Sequence, residues 1–113
     1  MPYYTVPEAL APSAARTADG QSEPIDASEY LEAHALLDVT AVSGMLPTLD
    51  LVIETSPDKA NWFPHTTFSQ KTDAGKDLRT LSNLGKYVRA RWTIGGTTPS
   101  FTFSLGLVGK GLQ

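Results

Sequence analysis

Two histidines, one turn rich in oxygen donors and one lysine set between glycines are the residues whose types could do chemistry in this 113-residue chain. His34 and His65 stand far apart with no companion at helical spacing, so a metal site or a Ser/His/Asp relay would have to be assembled wholly by the fold. "SPDKAN" holds Asp58 and Asn61 together but lacks the dense oxygen ligands of a calcium loop, and its Pro, Asp and Asn read as a turn. "LVGKG", around Lys110, lacks the first glycine and the Ser or Thr of a phosphate loop, and no helix follows it. There is no cysteine, which removes thiolate nucleophiles, sulfur-ligated metals and disulfides together. Tyr87, Trp62 and Trp92 would stack a sugar if the fold set their rings side by side at the surface. These residues predict a binding protein with no catalytic role, no cofactor and no metal.

The elements that would position such residues belong to one domain. A chain of this length with 41% hydrophobic and 19% charged residues has an ordinary globular composition and one core. No apolar run reaches the roughly 20 residues of a membrane span, and "MPYYTVPEALAPSAA" lacks the regions of a signal peptide, so no membrane partner is expected. The net charge of −3 is unevenly spread: nine acidic residues face Arg16 alone through Pro57, and eight basic residues face three acidic ones from Asp58 onward. Either the two halves attract copies head to tail, or their strands interleave and the charges pair across neighbours. The basic stretch is too sparse for a nucleic-acid surface.

Hydrophobic period two dominates. Leu31, Ala33, Ala35, Leu37, Val39 and Ala41 alternate with polar or outward residues, as do Leu49, Leu51 and Ile53. Val88, Ala90, Trp92 and Ile94 form a third apolar face, and Phe101, Phe103, Leu105 and Leu107 a fourth. Between the members of each pair stands a Gly and Pro segment, and "VSGMLPTLDLVIE" is echoed by "IGGTTPSFTFSLG" fifty-two residues later. The short connections predict two antiparallel hairpins, 29–43 with 48–56 and 86–95 with 100–109. The alternation entering the turn is displaced by one residue between the copies, which makes the symmetry approximate or places a bulge in one of them. With shorter strands at 22–27, near "NWFPHTTFS" and at 77–81, the reading is an all-β antiparallel sandwich of about seven or eight strands, jelly-roll or immunoglobulin-like. Trp62 and Trp92 are expected to plug the ends of its core.

Residues 1–15 differ in kind. Three prolines, two tyrosines and almost no charge predict an extended arm outside the sandwich domain of 16–113. Tyr3, Tyr4, Val6 and Leu10 would offer apolar anchors to a neighbouring subunit, unless the terminus is simply frayed.

"LLDVTAVSGMLPTLDLVIETSPDKANW" followed by "LGKYVRARWTIGGTTPSFTFSLGLVGKG" resembles a family of small β-sandwich proteins encoded among the virion structural genes of tailed bacteriophages and prophages. The resemblance covers about Leu36 to Gly111 and rests on the ordered set of "LDVT", "PTLD", "SPD" before tryptophan, "YVR" and "GGTTPSFTF". It implies a virion component, assembled in the host cytoplasm and without enzymatic role. A capsid decoration protein bound to the capsid lattice is expected, with other phage structural proteins as partners and further copies as a homo-oligomer. A neck or tail accessory protein and a carbohydrate-binding module are the alternatives.

Overall fold

The computed structural model describes residues 3–28, 30 and 32–112, and every element among them is a strand. The order is β1 (Tyr3–Arg16), β2 (Gly20–Gln21), β3 (Ile25–Asp26), β4 (Glu32–Ser56), β5 (Phe63–Thr67), β6 (Gly75–Ser82) and β7 (Tyr87–Leu112). All pairings are antiparallel: β7 lies between β1 and β4, β5 and β6 flank β4, and β2 and β3 flank β7.

The two central strands, of 25 and 26 residues, pair with each other from Glu32 opposite Lys110 to Ser56 opposite Tyr87. At about 3.3 Å per residue, either strand drawn straight would span about 80 Å. The longest dimension of the molecule is 49 Å, so both strands fold over midway. The sheet thereby closes on itself as a sandwich of two leaves. The first leaf contains β1, 100–112 of β7, 32–43 of β4 and β6; the second contains β2, β3, 87–95 of β7, 48–56 of β4 and β5. Leu37, Val39, Phe101, Phe103 and Leu105 of the first leaf and Leu49, Leu51, Ile53, Val88 and Trp92 of the second are buried between them. Trp92 meets Phe103 edge-on, with ring centroids 5.4 Å apart.

The two predicted hairpins do not form. Each Gly and Pro segment is a corner inside one continuous strand, and the two corners pair with each other. Met45 lies opposite Thr97, its own counterpart in the repeat, so a local two-fold axis passes between them. Leu49 opposite Ile94 and Phe101 opposite Val42 are equivalent pairs about that axis. Gly44 and Gly96 take φ of 107° and 115°, and Leu46 and Thr98 take 49° and 48°. A Cβ on Gly44 would lie 2.6 Å from the Thr98 carbonyl oxygen, and one on Gly96 would lie 2.8 Å from that of Leu46. The corner therefore needs glycine both for its backbone angle and for the approach of the opposite chain. Ladder register breaks between Ser43 and Met45 and again before Thr48, so the prolines fall where little ladder is lost. Full-length pairing gives both strands a hydrogen-bonded neighbour along both leaves, which two separate hairpins would leave to other partners.

Three further expectations change. A bulge lies between Val39 and Ala41, which turns Ala41 outward and brings Val42 against the core in its place. Trp62 is half-buried on the outer side of the second leaf rather than in the core; its indole N–H donates to the Lys59 carbonyl at 3.1 Å and the Arg89 guanidinium lies 4.2 Å above its ring. Residues 3–16 are extended, as the prolines imply, but they form edge strand β1 along β7, with Leu10 and Ala11 in the core. An edge tolerates Pro7 and Pro12, and two register breaks hide the period-two signal. Leu31 and the side chains of Tyr3, Tyr4 and Val6 lie outside the described residues.

Part of the charge asymmetry is met within the chain. Glu54, 7% exposed, lies 2.8 Å from Arg89 and 3.7 Å from Arg91, and Glu32 lies 3.4 Å from Lys110. Each pair joins the acidic half to the basic half across β4 and β7.

Gly44→Ala and Gly96→Ala should each lower the unfolding free energy by about 2–4 kcal/mol, because an added methyl meets backbone that cannot yield. Gly106→Ala, with no atom within 4 Å of its added Cβ, should change it by less than about 1 kcal/mol. Urea denaturation of the three variants checks this ranking, and equal effects would contradict the corner packing.

Candidate interaction surface

Strand alternation that seals one face of the first leaf aims the other at solvent. From β4 this outer face receives His34, Leu36 and Asp38; from β7, Ser104, Gly106, Val108 and Lys110; from β6, Lys76, Leu78 and Thr80. Register then sets Ala9, Gly106, Leu36 and Leu78 in one line across four neighbouring strands. Leu36, Leu78 and Val108 are 41%, 53% and 40% exposed, which is unusual for three apolar side chains on one sheet face. Gly106 is the floor between them, and Pro12, Ser13, His34, Ser104 and Lys110 border an open groove of about 700 Å³. Single exposed apolar residues are common; a contiguous row with a polar border is a candidate docking surface.

The outer side of the second leaf is different. Glu54 with Arg89 and Arg91, and Trp62 beneath Arg89, give it a charged and self-satisfied character. Its turn at 56–61 is closed on itself. Asp58 accepts hydrogen bonds from the Asn61 N–H at 2.8 Å, the Ala60 N–H at 2.9 Å and the Asn61 side-chain amide at 2.7 Å. Those bonds, the Asn61 backbone bond foremost, hold its carboxyl down at about 2. The Ser56 hydroxyl oxygen accepts the N–H groups of Asp58 and Lys59 at 3.2 and 2.9 Å. This is turn architecture, with its oxygens already engaged.

The residues singled out for chemistry are not brought together. His34 borders the groove, whereas His65 sits on β5, its ring nitrogens 2.7 Å from the Thr66 hydroxyl and 2.6 Å from the Ser82 carbonyl oxygen. Among the described residues no three His, Asp or Glu side chains are grouped to hold a metal ion. Trp92 is in the core, Trp62 lies under Arg89, and Tyr87 has Lys59 and Lys86 over its ring at 4.8 and 5.4 Å, so the three rings form no common platform. Leu10 is 5% exposed within its own chain and offers no anchor to a neighbour. Leu36, Leu78, Gly106 and Val108 were not singled out by residue type. Their signal in the sequence is phase: apolar or missing side chains at positions where alternation calls for polar ones.

No described protein family matches the chain, and no curated protein does. Its fold matches solved structures. The PBSX exported protein XepA superposes with a TM-score of 0.70 at 18% identity over 96% of this chain, which spans 38% of XepA. The SPBc2 prophage-derived protein YomS gives 0.61 at 8% identity, covering 98% of this chain and 96% of YomS. A chain of the disulfide-linked pili that form Bacillus endospore appendages gives 0.56 at 12% identity, covering 98% and 89%. At these identities the likeness is one of fold.

Asp58 generates a pH test. Its folded value of about 2 lies below the ordinary 3.8, so the stabilisation it contributes is complete above pH 3.8 and is lost as pH falls through about 2. The wild-type melting temperature should exceed that of Asp58→Ala at pH 7 and pH 4, and the gap should close toward pH 2. A gap independent of pH would contradict the turn's hydrogen-bond pattern.

Proposed function

We propose that this protein is a structural component of a phage or prophage-encoded particle, without catalytic activity, that attaches to other structural proteins through the outer face of its first leaf. The observation that carries this reading is the apolar line of Ala9, Gly106, Leu36 and Leu78 with Val108 beside it. An apolar centre bordered by His34, Ser104 and Lys110 has the anatomy of a protein interface. The fold it shares with prophage-derived YomS and exported XepA, and the resemblance of its 36–111 segment to phage virion proteins, support the same reading.

The specific form proposed is capsid decoration. A flat sandwich about 19 Å across its shortest dimension suits attachment by one broad face to a lattice, where many copies of a modest contact add up. The carbohydrate-binding alternative is less well supported, because Trp62 has a guanidinium over its ring and Asp58 spends its oxygens on its own turn.

Gly106→Arg tests the reading without disturbing the core, since an added Cβ there has no atom within 4 Å and the rest of the side chain would lie along the solvent-facing groove. Particles purified from the encoding host should carry the wild-type chain in fixed copy number, and the variant should keep its melting temperature while its occupancy falls at least about tenfold. Gold-labelled antibody on those particles should decorate heads. Particles lacking the wild-type chain, or fully occupied by the variant, would overturn the attachment; label confined to necks or tails would overturn the capsid assignment.

A further inference from the structure

The sandwich has several open edges, and they are unequally guarded. β1 carries Pro7, Pro12 and two register breaks; β2 and β3 are two residues each; β5 has five residues, Pro64 and a break. β6 has eight residues, no proline and an unbroken register with β4, and among the described strands β4 is its sole partner. Such an edge presents main-chain N–H and C=O groups to a strand that fits. The Leu78 carbonyl accepts from the Arg79 guanidinium at 3.2 Å, a contact an incoming strand would replace, and the Ser82 carbonyl at the strand's end lies 2.6 Å from His65.

We infer that β6 pairs antiparallel with β6 of a second copy of this chain, in the register that sets Leu78 opposite Leu78. This goes beyond attachment to a particle and does not depend on it. Charge selects both partner and register. With Leu78 on the two-fold axis, Asp77 of each copy lies opposite Arg79 of the other, and Lys76 lies opposite Thr80. Within one chain Asp77 and Arg79 already lie 2.6 Å apart, so pairing completes a ring of four alternating charges beside the axis. A shift by one residue in one direction sets Lys76 opposite Arg79, and in the other it sets Arg79 opposite Leu78 and separates both ion pairs. A strand of another protein would meet the same charges without this complement.

Apolar continuity points the same way. Leu78 ends the line that runs from Ala9 through Gly106 and Leu36. Residues directly opposite in an antiparallel pair face the same side of the sheet. The two lines therefore join at Leu78 into one strip on a common outer face, which halves the number of exposed strip ends and doubles the width offered to a larger partner. Main-chain hydrogen bonds supply affinity and the side chains supply register, as in other cases of strand addition.

Because the chain has no cysteine, Leu78→Cys introduces a unique thiol. Opposite residues lie about 4.5–5.5 Å apart between α-carbons, within disulfide reach, so mild oxidation of this variant should give a covalent dimer. Lys76→Cys alone should not, but a mixture of Lys76→Cys and Thr80→Cys should. By sedimentation equilibrium, Asp77→Arg alone or Arg79→Asp alone sets like charges opposite and should weaken dimerisation at least about tenfold. The double exchange Asp77→Arg with Arg79→Asp should restore it. A wild-type chain that stays monomeric at all concentrations, cross-linking of Leu78→Cys no greater than that of Val108→Cys, or dimerisation indifferent to the charge exchange would overturn the inference. All of these are read on the isolated protein, separately from particle occupancy.

Discussion

The close approach of two backbones at the paired corners is the contact on which the rest of this molecule depends. Gly44 sits against Thr98 and Pro99, and Gly96 against Leu46 and Pro47, with no room at either place for a Cβ. That approach lets two long strands bend together instead of apart, so the ladder between them continues through the fold of the sheet. Everything sealed between the leaves follows from it, because Phe101, Phe103 and Leu105 face Leu49, Leu51 and Ile53 only if both strands turn at the same level. The repeat in the sequence has the same origin: each corner is built against its own copy, so the two must have matching shapes.

Bending a shared sheet also sorts the two outer faces by chemistry. The second leaf keeps its outer side occupied by its own charges, with Glu54 between two arginines and Trp62 capped by one of them. Burial of such a carboxylate is tolerable because both its oxygens have cationic neighbours. Arg16 performs a related service at the mouth of the sandwich: it lies 5.0 Å from the Trp92 ring and 4.3 Å from the Phe103 ring, and donates to the Phe103 carbonyl at 2.7 Å, which ties β1 to side chains from both leaves. Desolvation there pulls its guanidinium below its ordinary value. The first leaf's outer side has no such cover, and its apolar line stands open to a partner.

Much of the sandwich was legible from alternation alone. Ala33 to Val39, Leu49 to Ile53, Val88 to Trp92 and Phe101 to Leu107 announce an inward face because a strand's side chains alternate strictly, and the displaced phase near the first corner announces the bulge at Thr40. Pairing was not legible. A Gly and Pro segment between two apolar runs has the same composition whether it reverses a strand or bends it, and what decides is the distant copy that packs against it. Trp62 illustrates another limit, since a tryptophan beside a turn can cover a buried ion pair as readily as fill a core. β1 was obscured by prolines that an edge permits. The outer apolar line needed both phase, which the sequence contains, and cross-strand register, which it does not.

β4 and β7 form one ladder through both leaves. Backbone nuclear Overhauser contacts in solution test it most directly. α-Proton and amide contacts should link Leu51 with Trp92 and Leu37 with Leu105, while Trp92 and Phe103 touch through their rings without backbone contact. Backbone contacts that run instead from Trp92 to Phe103, with Leu51 and Trp92 silent toward each other, would show two separate hairpins and contradict it.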